Sequence, residues 1–161
     1  MNNYLSQNDE YIEGGGFSLS RYIANRYSIQ FNALFTHFYS VSTVNLKTPI
    51  NYWTQNHSGL LTIFLPKGFE INTNVAYTWQ EASSTFSNNN SVLLWNASLN
   101  KTFSHNRLMI HWQINDILGQ NPGITRNIAA NQVSQTTTNV VGRYWLVSGI
   151  YRFKNDDKVN H

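Results

Sequence analysis

The stretch FEINTNVAYTWQ, Phe69 to Gln80, changes character at every step. One side carries Phe69, Ile71, Thr73, Val75, Tyr77 and Trp79. The other carries Glu70, Asn72, Asn74, Ala76, Thr78 and Gln80. Unbroken period-two alternation marks a strand held between two unlike environments. The pattern recurs on both sides of this stretch. Tyr27, Ile29, Phe31, Ala33 and Phe35 oppose Ser28, Gln30, Asn32, Leu34 and Thr36, in a strand over Tyr27–Tyr39. Leu108, Ile110, Trp112 and Ile114 oppose Met109, His111, Gln113 and Asn115. Leu93, Trp95, Ala97, Leu99, Lys101 and Phe103 line one side of a strand starting near Val92. His57–Leu65 and Gly15–Ile23 read as strands too. Val140–Phe153 is apolar on both sides, so its row of Trp145, Val147, Gly149, Tyr151 and Phe153 sets its orientation. No segment follows the helical period of 3.6.

Seven strands of roughly ten residues result, the length that crosses a bilayer when tilted. Their connections alternate. Ala24–Arg26, Pro66–Gly68 and Ser104–Asn106 are tight and rich in turn-favouring residues. Ser40–Asn56, Glu81–Ser91 and Ile117–Thr136 are long and polar. Short turns on one side and long loops on the other are the rhythm of a transmembrane β-barrel.

The aromatic residues agree. Tyr27, Phe69, Phe103, Tyr151 and Phe153 fall beside the short turns on the apolar side. Tyr39, Tyr77, Trp79, Trp95 and Trp145 fall toward the long loops, with Trp112 on the same side. Two girdles at these depths suit rings that are apolar in body and polar at the tip. On that side Arg21, Lys101, Asp116 and Arg143 stand near strand ends, where a charge facing lipid costs about 0–1 kcal/mol instead of the ~2–4 kcal/mol at the midplane. A soluble β-sandwich with aromatics in its core explains neither the sorted loops nor the girdles.

Composition narrows the function classes. Aromatics make up 14% and charged residues only 12%, about half the ~25% usual in soluble domains. Asn, Ser and Thr stand where charge is missing, as they do on walls facing confined water. The net charge of +3 comes from scattered residues, which sets nucleic acid aside as a partner. Cysteine is absent, which excludes a disulfide scaffold or thiolate metal site. The longest apolar run, Leu60–Leu65, stops at Pro66, far short of the ~18 residues of a membrane helix. The first residues lack the charged-then-apolar order of a signal peptide, so an exported chain of this kind is expected to be a piece of something longer.

Three segments, NNSVLLWNASLNKTF, INDILGQNPGITRNI and VVGRYWLVSGIYRF, resemble the carboxy-terminal end of the outer-membrane β-barrels related to TonB-dependent receptors of Gram-negative bacteria. Trp95-Asn96, Asp116-Ile117-Leu118-Gly119 and Arg143-Tyr144 occupy the places of that family's closing motifs, with Gly119 where Asn is usual. Tyr151 and Phe153 match the aromatic pair of its assembly signal, with Ser148 where Gly is usual. The resemblance implies an all-β, antiparallel transmembrane β-barrel segment in the bacterial outer membrane, made of about seven meandering strands. Residues 1–161 would be the carboxy-terminal part of such a barrel, with strands at about 14–153 and a polar tail at 154–161. It implies substrate binding and passage across the outer membrane with energy supplied elsewhere. The implied partners are outer-membrane lipid, the barrel assembly machinery, and an upstream remainder of barrel and plug. The strands are odd in number and the last ends on the short-turn side, so an odd number is expected ahead of Gly14. A structural or adhesive barrel without transport is the second reading, and a soluble glycan-binding β-sandwich the third.

Catalytic chemistry is not expected. His37, His57, His105 and His111 have no spacing that puts two on one local face, so they read as wall or loop histidines, with no metal or other cofactor. His111 lies among polar residues without a nucleophile motif beside it. Asp116 reads as a carboxylate capping backbone N–H groups at the foot of a loop. The run Gly14-Gly15-Gly16 precedes no helix, so it is a place for strand bending or close backbone approach, not a phosphate loop. The polar side is dense in amides: Gln30, Asn32, Asn72, Asn74, Asn96, Gln113 and Asn115, with Thr78 and Ser98. Such a wall suits water, a plug, a sugar or a peptide alike. Tyr52 and Trp53 could stack on a sugar or anchor at a surface.

Overall fold

The computed structural model describes residues 8–42, 49–103, 107–129 and 132–153. Their strands are β1 (Asn8–Ile23), β2 (Tyr27–Ser42), β3 (Ile50–Leu65), β4 (Phe69–Gln80), β5 (Asn90–Phe103), β6 (Leu108–Asn115), β7 (Ile124–Ala129), β8 (Gln132–Thr137) and β9 (Tyr144–Tyr151). Seven form one sheet in the order β1-β2-β3-β4-β5-β6-β9, every neighbouring pair antiparallel. The expected meander is therefore present. The sheet is open: β1 and β9 each pair with a single neighbour. Both run toward the short-turn end, so they are parallel to each other.

Two of the tight connections are described, and both rely on left-handed backbone. Asn25 takes φ 57° in the turn Ala24–Arg26, and Arg26 N donates to Ile23 O at 3.1 Å. Lys67 and Gly68 take φ 62° and 74° in Pro66–Gly68. Asn and Gly are the residues that tolerate this region. Lys67 is held there with its carbonyl accepting from the ammonium of Lys101. The turn expected at Ser104–Asn106 lies outside the described residues, as does the polar tail from residue 154.

Several boundaries differ from the sequence reading. β1 starts at Asn8, not near Gly14, and β3 at Ile50, not His57. The described strands thus occupy 8–151 instead of about 14–153, and within the expected loop Ser40–Asn56 residues 40–42 and 50–56 are strand. At 16 residues, β1, β2 and β3 each extend about 53 Å at ~3.3 Å per residue, well beyond the ~9–11 residues that cross a bilayer. In a hairpin that rises past a bilayer, as the sequence reading expects of this sheet, both faces meet water and alternation has no cause. That is why Asn51, Thr54, Gln55 and Asn56 hid the start of β3. The expected loop Ile117–Thr136 contains the separate hairpin β7–β8. β9 is shorter than expected, leaving Val140, Val141 and Phe153 outside it.

Pairing carries one parity through all seven strands. Leu65 pairs with Phe69 and Phe69 with Lys101; Val75 pairs with Gly59 and with Trp95. Leu99 pairs with Trp112, and Trp112 with Val147. A single layer has no interior. Among the described residues only Ala33, Phe38 and Tyr52 are buried apolar side chains, so the two faces of the sheet must each meet something else.

Candidate functional site

The register puts Tyr27, Phe69, Tyr77, Trp79, Trp95, Phe103, Trp112, Trp145 and Tyr151 on one face of the sheet. Phe153 follows β9 and packs edge-on against Tyr151, with ring centroids 4.7 Å apart. At the short-turn end the Lys101 ammonium lies 4.1 Å from the Phe69 ring centroid and 5.0 Å from that of Phe103. A cation over two aromatic faces keeps a favourable partner while its stem covers apolar surface. Toward the long-loop end Trp112 and Trp145 stack with centroids 5.2 Å apart. Trp95 sits opposite Val75, near the middle of β4. Its indole N–H donates to Thr73 Oγ1 at 2.7 Å, and that hydroxyl donates to the Asn96 carbonyl at 3.1 Å. The indole thereby needs no water.

Two histidines stand on this aromatic face as wall residues. His57 lies among Phe31, Phe35 and Tyr77. His37 stacks on Trp53 at 4.7 Å and is bracketed by Glu13 at 3.2 Å and Asn51 at 2.7 Å. Trp53 therefore shares the aromatic face, whereas Tyr52 is buried against Phe38 on the other. No group of three metal-ligating side chains occurs among the described residues, and His105 lies outside them.

The opposite face gathers the amides. Asn32 donates to Ser58 Oγ at 3.1 Å, and Thr62 donates to Asn72 at 2.7 Å. Asn72 and Asn100 both donate to Glu70 Oε1, at 2.7 and 3.1 Å. His111 joins Asn100 to Gln113, and Gln113 donates to Asn115 at 2.7 Å. The chain of contacts from Thr62 to Asn115 thus crosses four strands. Bonded to one another, these groups keep a fixed hydrogen-bonding surface. Leu34, Leu60 and Leu94 interrupt it.

At the long-loop end this amide face is roofed. Thr78, Gln80, Asn90, Val92 and Leu94 form the floor of a cavity of about 530 Å³. Asn121, Ile124, Thr125, Arg126, Thr138 and Val140 close it from the segment that follows β6. Arg126 on β7 is the joint. Its Nη1 donates to the Asn88 carbonyl at 2.9 Å, its Nε donates to Gln135 Oε1 at 3.0 Å, and its guanidinium lies 4.5 Å from the Phe86 ring centroid. Arg126 thereby ties the β7–β8 hairpin to the loop after β4. That loop is tied in turn to β3, since Glu81 N donates to the Trp53 carbonyl at 2.9 Å and Glu81 Oε2 accepts from Trp53 N at 3.0 Å.

The foot of the roof is Asp116, 6% exposed and at φ 48°. Its two carboxylate oxygens accept from the N–H groups of Gln120 and Asn121, at 3.0 and 3.1 Å. Its own N–H donates to Asn96 Oδ1 at 2.9 Å, and Ile117 N donates to the Trp95 carbonyl at 2.8 Å. Gly119 completes the turn at φ 64°, donating its N–H to the Asp116 carbonyl. That left-handed position favours Gly or Asn, which accounts for the one departure from the resembled motif. Trp95-Asn96 and Asp116–Gly119 are therefore one local device that starts the loop.

Sequence reasoning identified the amide face and Asp116 but missed Arg126, Phe86 and Asn88. Their segments have no two-residue alternation, and a guanidinium that clamps two loops leaves no periodic trace. A model of the Outer membrane protein beta-barrel family matches residues 3–151. No curated protein and no solved structure matches the chain.

Proposed function

The chain belongs to the Outer membrane protein beta-barrel family, and so to the bacterial outer membrane, and from that premise we propose that it is the carboxy-terminal wall of a solute-carrying barrel akin to TonB-dependent receptors. The aromatic face meets lipid, and the amide face lines the path of a hydrophilic solute. The observation that carries this reading is the continuous register: one parity is rich in aromatic and apolar residues across the seven-stranded sheet, and the other carries hydrogen-bonded amides from β2 to β6. A purely structural wall needs the first face but not the second. The resemblance of the closing motifs to TonB-related barrels adds energised uptake to the reading.

The partners follow from the edges. A β1–β9 pair would be parallel, so antiparallel closure requires an odd number of further strands, which the rest of the barrel supplies. Unpaired edge groups facing hydrocarbon cost several kcal/mol each, so the open sheet does not stand alone in lipid. Tyr151 and Phe153 present the terminal aromatic pair to the assembly machinery.

Uptake tests the reading. Cells with and without the intact gene are compared for accumulation of radiolabelled small peptides and oligosaccharides, with and without a protonophore. The expected result is uptake of at least one solute class that is lost on deletion and abolished by the protonophore. Unchanged uptake of both classes on deletion would contradict it.

A further inference from the structure

We propose that the roofed cavity on the amide face is a binding site for a small peptide-like solute bearing a carboxylate, with Arg126 as the group that selects the charge. The inference deepens the transport reading, since it takes the amide face to be open to solute.

The first observation is charge. None of the residues lining the cavity is acidic, and Arg126 is its one basic residue. Among the described residues, the ion pair found is His37–Glu13, on the other face of the sheet. The nearby Asp116 is committed to the N–H groups of Gln120 and Asn121. Among the described residues Arg126 thus brings a guanidinium with no ion-pair partner to a partly enclosed space.

The second observation is rigidity. Arg126 is held by the Asn88 carbonyl, by Gln135 and by the Phe86 ring. Among the described residues these contacts use Nε and one N–H of Nη1, and no hydrogen bond from Nη2 is found. A guanidinium fixed beforehand loses little freedom when a carboxylate arrives, and its planar fork matches that group.

The third observation is the rest of the lining. Gln80, Asn90 and Asn121 offer both a donor and an acceptor each, the complement of a peptide group. Val92 and Leu94 give room for a small apolar side chain. The volume of about 530 Å³ lies in the ~300–1,000 Å³ range of small-ligand pockets. No aromatic ring is among the lining residues, so a sugar ring finds no stacking platform there.

The test is isothermal titration of the full chain, extracted from outer membranes in detergent, with trialanine, trialanine amide and maltotriose. Trialanine is expected to bind, and amidation of its carboxylate to weaken binding roughly tenfold or more. Maltotriose is expected to give no saturable heat. Arg126→Gln should abolish the difference between trialanine and its amide. Because that change also cuts the tie between the loops, Gln80→Ala provides a second arm: it leaves the clamp intact and should weaken both peptides alike. Equal affinity of wild-type protein for trialanine and its amide, or no binding of either, would overturn the proposal. Peptide binding without cellular uptake would instead sink the transport reading and leave the site standing.

Discussion

Val75→Arg is expected to destabilise the folded protein by about 2–4 kcal/mol, whereas Asn74→Arg, one residue away, is expected to be mild. Val75 sits near the middle of β4, flanked in register by Gly59 and Trp95. Gly59 has no side chain and nothing lies within 4 Å of where its Cβ would stand, so a charge at 75 finds no partner on that side. On the other side the Trp95 indole N–H already donates to Thr73. An arginine there either sits in hydrocarbon or drags water and headgroups inward, and both are costly. Asn74 faces the other way, opposite Leu60 and Asn96, where an added guanidinium meets amide oxygens and water. Urea titration of each variant, followed by the heat-dependent shift in gel mobility, reads the difference. Equal losses, or a larger loss at Asn74, would mean that the two faces have been assigned the wrong way round.

The second large effect concerns β1. Gly16→Val is expected to prevent assembly of the first hairpin, while Gly15→Val is expected to be tolerated. A Cβ on Gly16 would stand 2.3 Å from the Ala33 carbonyl oxygen and 3.1 Å from the Leu34 Cα. Both are backbone atoms of the paired strand, so no rotamer change relieves the clash. The strand has to pull away from β2 at that point. Gly15 has nothing within 4 Å of its Cβ position, because it points to the opposite face. Glycine at 16 therefore lets β1 bend in toward the amide face, the device by which sheets acquire the curvature of a wall. Unzipping the pair frees N–H and C=O groups that lipid cannot satisfy, each at several kcal/mol. Proteinase digestion of outer-membrane fractions should find β1 protected in Gly15→Val and cut in Gly16→Val. Protection in both would contradict the close approach.

These cases show where the sequence speaks plainly. β4 and β6 have the bounds that alternation assigned because each divides two environments along its length, and β2 has its start, at the short-turn end, for the same reason. The ends of β1 and β3 beyond the bilayer lost their signal for the opposite reason, with water on both sides. The triple glycine was legible as a site of close approach, but not that Gly14 and Gly16 are pinched and Gly15 is not, since that depends on strand parity against β2. The candidate binding site divides the same way. Of its floor, Thr78 and Gln80 on β4 were visible in the alternating polar row, whereas Asn90 fell in the expected loop and Val92 and Leu94 carry no polar signal. Its roof depends on Arg126 reaching Asn88 and Phe86 across 38 and 40 positions of chain, a contact with no local pattern.

The central claim is that one parity of the sheet faces lipid and the other faces water. These 161 residues contain no cysteine, so a thiol introduced among them is the one thiol of this stretch and makes the claim directly measurable. Single cysteines at positions 72 to 76 of β4 would be labelled in intact outer membranes with a small, membrane-impermeant maleimide. A lipid-soluble maleimide would be applied to a parallel set. Asn72→Cys, Asn74→Cys and Ala76→Cys are expected to react with the water-borne reagent, and Thr73→Cys and Val75→Cys with the lipid-borne one, in strict alternation. Uniform labelling along the strand, or alternation of the opposite phase, would contradict the claim.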